Sequence, residues 1–208
     1  FTYPTTGYFD AFFYALLHET MGSEDFTKAL NYSEGIWDTD GAKKAFDIVT
    51  QLASHVEPTT TANANDNDFR NNQQRVLDAK ALFKPNGNWV IGEMADAPRA
   101  DGFDWGFTAL PAVEKDGERA SYTFFEQIWP IEGKSDKLDG DNKLYYSIYD
   151  TGAVAVMDAF ATTDPVEGVT VRTTFFDPVN SLVTGDKTED DWVNQIKTDS
   201  DKLRPALK

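Results

Sequence analysis

Near the start of the chain, Phe9, Phe12, Phe13, Leu16 and Leu17 recur at i, i+3, i+4, i+7 and i+8. This spacing predicts an amphipathic helix over 7–21, stopped by Gly22. Ala42, Ala45, Phe46, Val49, Leu52, Ala53 and Val56 share one helical face, which predicts a second helix over 40–56 with Asp40 as its N-cap. Residues 58–67 are rich in Thr, Asn and Asp and poor in apolar side chains, so they read as a surface loop, after which Asp68 caps a short helix ending near Leu77. The period then changes. Ala79 to Phe83 reads as a short buried strand broken by Pro85-Asn86-Gly87, Trp89 to Ala95 as a short helix, and Phe103 to Leu110 as a strand ended by Pro111. Asp116-Gly117 is a turn signal, and Ser121 to Ile131 is strand-like again. A charged loop over 134–142 leads to a helix over 144–159. Thr173 to Val183 is helical in pattern, with Pro178 near its middle to kink or break it and Gly185 to end it. Thr188 and Asp191 have capping-box spacing ahead of a final helix whose buried stripe is Trp192, Ile196 and Leu203. Helices separated by short apolar strands point to the α/β class, a helix-rich lobe around a short-stranded sheet.

Composition narrows the partners. The 208 residues are 40% hydrophobic and 26% charged, ordinary values for a globular chain. Lys plus Arg total 19 against 35 Asp plus Glu, a formal net charge of −16. Such a surface repels phosphate backbones and anionic lipid, so no nucleic acid is expected as a partner, while a neutral ligand stays compatible. The absence of cysteine removes disulfides, thiolate metal sites and a cysteine nucleophile. No apolar run reaches the roughly 18–20 residues a membrane-spanning helix needs. The chain opens on Phe1 without a Met, and an export signal or lipid anchor is expected outside it.

The candidate chemistry lies in aromatic rings beside turn residues. Sugars are held by flat aromatic faces against their C–H surfaces and by planar polar side chains on their hydroxyls; a buried polar group left unpaired costs about 1–3 kcal/mol, which supplies discrimination. Trp89 follows Asn86, Gly87 and Asn88 at the junction of an expected strand and helix. It reads either as a sugar platform with Asn86 and Asn88 as hydrogen-bonding partners, or as a core tryptophan with the asparagines capping the helix. In the strand-like run from Tyr122 to Trp129, alternate residues share a face, so Phe124 and Glu126 lie on one side and Phe125 on the other. One side suits a ligand and the other a core; a buried strand with Glu126 at an exposed end is the alternative. Tyr8, beside Gly7 at the mouth of the first helix, is a further ligand candidate or a satisfied core tyrosine, while Phe9 reads as core.

Enzyme signals are weak. His18 and His55 lie in helical stretches without metal-spaced partners and read as core or surface histidines. No phosphate-loop, dinucleotide or nucleophile-elbow motif occurs. Residues 139–142 and 65–68 are Asp/Asn-rich but lack the full calcium-loop pattern and read as solvated turns. No metal, cofactor or catalytic residue is expected.

The order of these motifs resembles a known family. Trp37-Asp38-Thr39-Asp40 leads into a helix and Phe69 precedes a short one. Ala79-Lys80-Ala81-Leu82-Phe83 leads to Asn86-Gly87-Asn88-Trp89, and Trp105-Gly106-Phe107-Thr108-Ala109-Leu110-Pro111 follows. Together with Phe1-Thr2-Tyr3-Pro4, this looks like the extracellular solute-binding proteins of carbohydrate ABC importers, the maltose-binding-protein-like family. The ending, with Gly185, Thr188, Trp192 and Leu203-Arg204, is similar to the C-terminal helices of a Gram-positive subgroup.

The resemblance implies a periplasmic-binding-protein-like (type II) fold of two α/β lobes with sugar in the cleft between them. It implies that Trp89 stacks on sugar and that the strand around Phe124, Phe125 and Glu126 contributes to the cleft. Residues 111–143 would carry a hinge or crossover. First-lobe elements that normally precede Phe1 or follow Ser135 are lacking, so the chain is expected to be mainly the second lobe. The implied partners are a mono- or oligosaccharide and ABC permease subunits. A monomeric, extracellular lipoprotein or periplasmic protein without enzymatic activity is expected. The competing classes are a polysaccharide-acting enzyme or its carbohydrate-binding module, which would need a carboxylate pair about 5–10 Å apart, and a structural or adhesive surface domain.

Overall fold

Helix α1 (Asp10–Leu30) follows a tight 3-10 turn at Thr6–Phe9 and carries the apolar stripe read from the sequence, with Phe9, Phe13, Leu16 and Leu17 buried. The computed structural model describes residues 1–122, 138 and 140–208. Gly22 breaks the helix, with φ 74° and ψ 166°, but does not end it. The chain turns helical again because Phe26, Ala29 and Leu30 bury into the same core. α2 (Asp40–Ala53) packs along α1 and buries Ala42, Ala45, Phe46 and Val49. Its N-cap is Thr39, not Asp40: the Thr39 hydroxyl accepts from the Ala42 N–H at 3.3 Å, and Asp40 is the acidic residue of the first turn.

The polar stretch after Pro58 is less of a loop than its composition suggests. It contains a single helical turn, α3 (Thr60–Asn63), and Thr60 is fully buried with its hydroxyl 2.8 Å from that of Thr2. α4 (Phe69–Leu77) follows, with no side-chain cap from Asp68.

Ala79 to Phe83 is not a buried strand. The Lys80 and Ala81 N–H groups both donate to the Arg75 carbonyl, at 2.8 and 3.0 Å, closing the end of α4. Those donors are spent on the helix end, so they cannot enter a ladder, and Leu82 and Phe83 face outward, 80% and 61% exposed. α5 (Val90–Glu93) is one turn long. Phe103 to Leu110 is also not a strand, although its alternation has a structural use. Phe103, Trp105 and Phe107 lie over the small core of Leu77, Val90 and Met94, so the period-two pattern covers a helix rather than pairing with a neighbour.

Among the described residues the sheet has two parallel strands, β1 (Ala120–Tyr122) and β2 (Val154–Val156), in register Ala120 to Val154 and Tyr122 to Val156. The predicted strand 121–131 is therefore seen at its start; its continuation, with Phe124, Phe125 and Glu126, lies outside the described residues, as does most of the 134–142 loop. α6 (Gly140–Asp150) begins earlier and ends sooner than the predicted 144–159 helix. Gly152, at φ 85°, separates it from β2, which takes the place of the helix expected there.

A π-helical turn at Arg172–Phe176 precedes α7 (Pro178–Thr184), so Pro178 sits in the first turn of a new helix, where its missing N–H costs nothing. Gly185 closes α7 in the left-handed conformation, φ 79°. α8 (Glu189–Leu203) has the full reciprocal capping box between Thr188 and Asp191. Its Trp192 and Ile196 enter the main core, while Leu203 packs with Tyr32 and Val169 in a smaller one. Phe13, Phe46, Phe175 and Trp192 form the centre of the main core, with Phe13 and Phe46 ring centroids 5.5 and 5.2 Å from Trp192. Two buried indole N–H groups are satisfied there: Trp37 donates to the Ser200 hydroxyl at 2.9 Å and Trp192 to the Thr174 carbonyl at 3.3 Å. The molecule is thus a helix-rich α/β structure around a small parallel sheet.

Candidate ligand-binding site

The turn before α5 holds Trp89 at the surface, 41% exposed. The chain around Gly87 folds so closely onto the indole that a Cβ added there would overlap carbons of its six-membered ring. Gly87 is needed for space, and the ring rests on bare backbone. The asparagines do not cap α5, which has no side-chain cap. Asn86 instead accepts from the Gly87 N–H through Oδ1 at 2.8 Å, leaving its amide nitrogen without a hydrogen-bond partner among the described residues. Asn88 is exposed.

Tyr8 comes from the 3-10 turn before α1 and meets Trp89 edge to face, ring centroids 6.1 Å apart and planes at 63°. Burial raises the Tyr8 phenol above its ordinary pKa; the Trp89 indole opposes this, and the charges of Glu93 and Asp10 add to it. The tertiary structure therefore joins two of the residues singled out by sequence, Trp89 and Tyr8. The neighbouring Tyr3 and Phe9 are core residues, with the Tyr3 hydroxyl donating to Asn180 at 2.7 Å.

Beyond Tyr8 lies a polar group that the sequence pattern did not reveal. Asp10 opens α1 and accepts from the Ala11 N–H at 2.6 Å. Asp158 stands just after the carboxyl end of β2, and Tyr122, the last residue of β1, donates its hydroxyl to Asp158 at 3.0 Å. Burial pushes the Asp10 carboxyl up to about 7 against the Ala11 N–H, with the charge on Asp158 adding to the push. The buried Tyr14 ring packs 5.4 Å from that of Tyr122, and its hydroxyl has no hydrogen-bond partner among the described residues. Burial, followed by the charges of Asp158 and Asp10, raises the Tyr14 phenol far above its ordinary pKa, so it stays a donor. This cluster lies at the carboxyl ends of both parallel strands, where ligands enter α/β folds. Asp10 had a signal of a kind, two residues from Tyr8. Asp158 had none, because only the β1–β2 pairing brings it to Tyr122.

A second group is built around Lys84, Trp105 and Glu93. Lys84 places its ammonium 5.4 Å from the centre of the Trp105 ring. Glu93, in α5, accepts from the Gln73 amide at 2.7 Å and is close enough to Lys84 and Tyr8 to act on both electrostatically.

The remaining candidates carry no such arrangement. His18 pairs with Glu118 and Ser23, both at 3.1 Å, and His55 is exposed. Asn65 accepts from the N–H groups of Asn67 and Asp68 at 3.0 Å, a self-satisfied turn. Among the described residues no cluster of three or more metal-binding side chains occurs, and no helix is long and apolar enough to cross a membrane. A surface depression beside Trp37 is lined by Glu34 and by two charge pairs, Lys197 with Asp38 and Arg204 with Asp201. Comparisons with family models, curated proteins and solved structures find no match to this chain.

Proposed function

We propose that the chain is the substrate-binding component of an ABC importer, taking a sugar or oligosaccharide in an interlobe cleft and delivering it to a membrane permease. The observation that carries this reading is the half-exposed Trp89, seated on Gly87 and braced by Tyr8, with Asp10, Asp158 and Tyr122 beyond it at the carboxyl ends of the strands. A fixed aromatic face next to planar polar groups is what a pyranose needs: apolar contact on one surface and directional partners for its hydroxyls. Asn86 and Asn88 would serve the sugar edge nearest Trp89.

In this reading the chain is mainly the second lobe of a type II periplasmic-binding-protein-like fold. The crossover is proposed for residues 111–143, and the proposed ligand contacts of Phe124, Phe125 and Glu126 fall outside the described residues. The protein works as a monomer outside the cytoplasmic membrane, as a lipoprotein or in the periplasm, and performs no chemistry itself. One wall of a cleft binds weakly, since closure of both lobes buries the ligand.

Ligand-observed NMR on the full chain with a panel of mono- and oligosaccharides tests the proposal. Saturation transfer to at least one sugar, lost in Trp89→Ala, is the expected result. Absence of transfer to every sugar, or transfer indifferent to Trp89→Ala, would overturn it.

A second reading is favoured by one observation. Burial raises the Asp10 carboxyl to about 7, with Asp158 near enough to add to the rise, and a buried carboxyl near a second one is what a glycosidase acid requires. Release of reducing ends from the same panel, abolished in Asp10→Asn, would replace the receptor reading with the enzymatic one.

A further inference from the structure

Three buried donors have no acceptor among the described residues: Lys84 Nζ, Asn86 Nδ2 and Trp105 Nε1. They belong to one neighbourhood. Lys84 lies against the Trp105 ring, and Asn86, two residues along, adjoins the Gly87 floor under Trp89. The acceptor side of Asn86 is already used by the Gly87 N–H. Glu93, whose charge reaches Lys84, accepts from Gln73 and forms no ion pair with Lys84 among the described residues. A buried donor without a partner costs about 1–3 kcal/mol, and a buried cation more, so such a cluster is a standing demand for an acceptor.

Sugar hydroxyls satisfy it poorly. A hydroxyl brings a proton of its own that needs an acceptor, and the three unpaired donors here outnumber the one unpaired acceptor beside Glu93, Gln73 Oε1. A carboxylate accepts only, offers about four lone-pair positions, and carries a charge opposite to that of Lys84. A sulfate ester has the same acceptor-only chemistry.

We propose that the Lys84–Asn86–Trp105 corner is a subsite for an oxyanion on the sugar, so that the preferred ligand is an acidic saccharide, foremost one bearing a uronic acid. This rests on the sugar-binding reading above and gives it a substrate class. The ring would lie on Trp89 with its carboxylate turned into the corner. The chain's strong negative charge works against such a ligand at long range, so the preference comes from local contacts and persists when salt screens the far field.

The test compares a uronic-acid disaccharide, the same disaccharide reduced at the carboxyl to a hydroxymethyl group, and a sulfated counterpart, each titrated against the full chain at neutral pH in 0.15 M salt. The uronate form is expected to bind at least about tenfold more tightly than its reduced form, roughly 1.4 kcal/mol. Lys84→Gln and, separately, Asn86→Ala should each narrow that ratio, with circular dichroism confirming that the variants fold. Tighter binding of the sulfated form would keep the oxyanion subsite and change its occupant from uronate to sulfate ester. Equal affinity for the charged and reduced forms, or a ratio untouched by both variants, would overturn the subsite while leaving sugar binding intact. Failure of every saccharide to bind would overturn the subsite together with the sugar-binding reading.

Discussion

Gly87 and Trp89 are in a contact that only hydrogen at Cα permits: any Cβ at 87 would occupy the space of the indole ring. Gly87→Ala must therefore push Trp89 off its seat and away from Tyr8. The turn lies at the surface, so the stability cost should be small. Sugar affinity should fall about as far as in Trp89→Ala, and the tryptophan emission should shift. Ligand-observed NMR beside a fluorescence spectrum checks this; unchanged affinity in a folded Gly87→Ala protein would show that the ring orientation does not matter.

Asp10 makes stability depend on pH in a specific direction. Its pKa is about 7 in the folded protein against 3.8 in the unfolded chain, so folding binds a proton between those values. The contribution is fully present below about pH 3.8 and is lost as pH rises through about 7. The groups facing it are Asp158, Tyr8, Tyr14 and Tyr122. Asp10→Asn keeps an acceptor for the Ala11 N–H and removes the titration. It should melt higher than the parent at pH 8, with the difference shrinking toward pH 4. Parallel thermal melts across that range give the answer.

Lys84 acts in the opposite sense. Burial lowers its pKa to about 7 from 10.5, with Glu93 opposing the drop, so folding releases a proton between those values. The stability linked to Lys84 is fully present above about pH 10.5 and is lost as pH falls through about 7. Tyr8 shares the neighbourhood through Glu93. Lys84→Met keeps the stem and removes the ammonium. The variant should be more stable than the parent at pH 7, and the gap should close toward pH 10 in denaturant titrations.

The capping box at α8 is a local stability device. The Thr188 hydroxyl accepts from the Asp191 N–H at 3.1 Å, and Asp191 accepts from the Thr188 N–H at 2.9 Å. Thr188→Ala removes one half of the exchange and should cost about 1 kcal/mol of global stability, measured by urea unfolding. Because α8 delivers Trp192 to the main core, the loss should appear in the whole transition rather than as fraying alone.

How much of this was legible in advance follows the range of the interactions. The stripe of α1, the buried face of α2, the break at Pro178, the Gly185 stop and the Thr188–Asp191 box all depend on residues within about one or two helical turns, and all were readable from spacing. The strand readings failed where apolar residues had a non-local use. Lys80 and Ala81 close α4 with the donors a strand would need, and the alternating rings of Phe103, Trp105 and Phe107 cover α5. Gly152, at positive φ, stands before β2, and the apolar run after it masked the change from helix to strand.

For the site, the sequence alone determined the chemistry available in the Asn86 to Trp89 turn and at Tyr8, because residue type and turn composition are local properties. It could not say whether Trp89 lies inside or outside, since exposure depends on what else packs nearby. Tertiary structure decided that Trp89 rests on Gly87 against Tyr8, that Tyr122 and Asp158 meet across β1 and β2, and that the ammonium of Lys84 is shut away beside Trp105. These pairings join segments far apart in the chain, and burial shifts a charge or leaves a donor unmet only after those segments have come together.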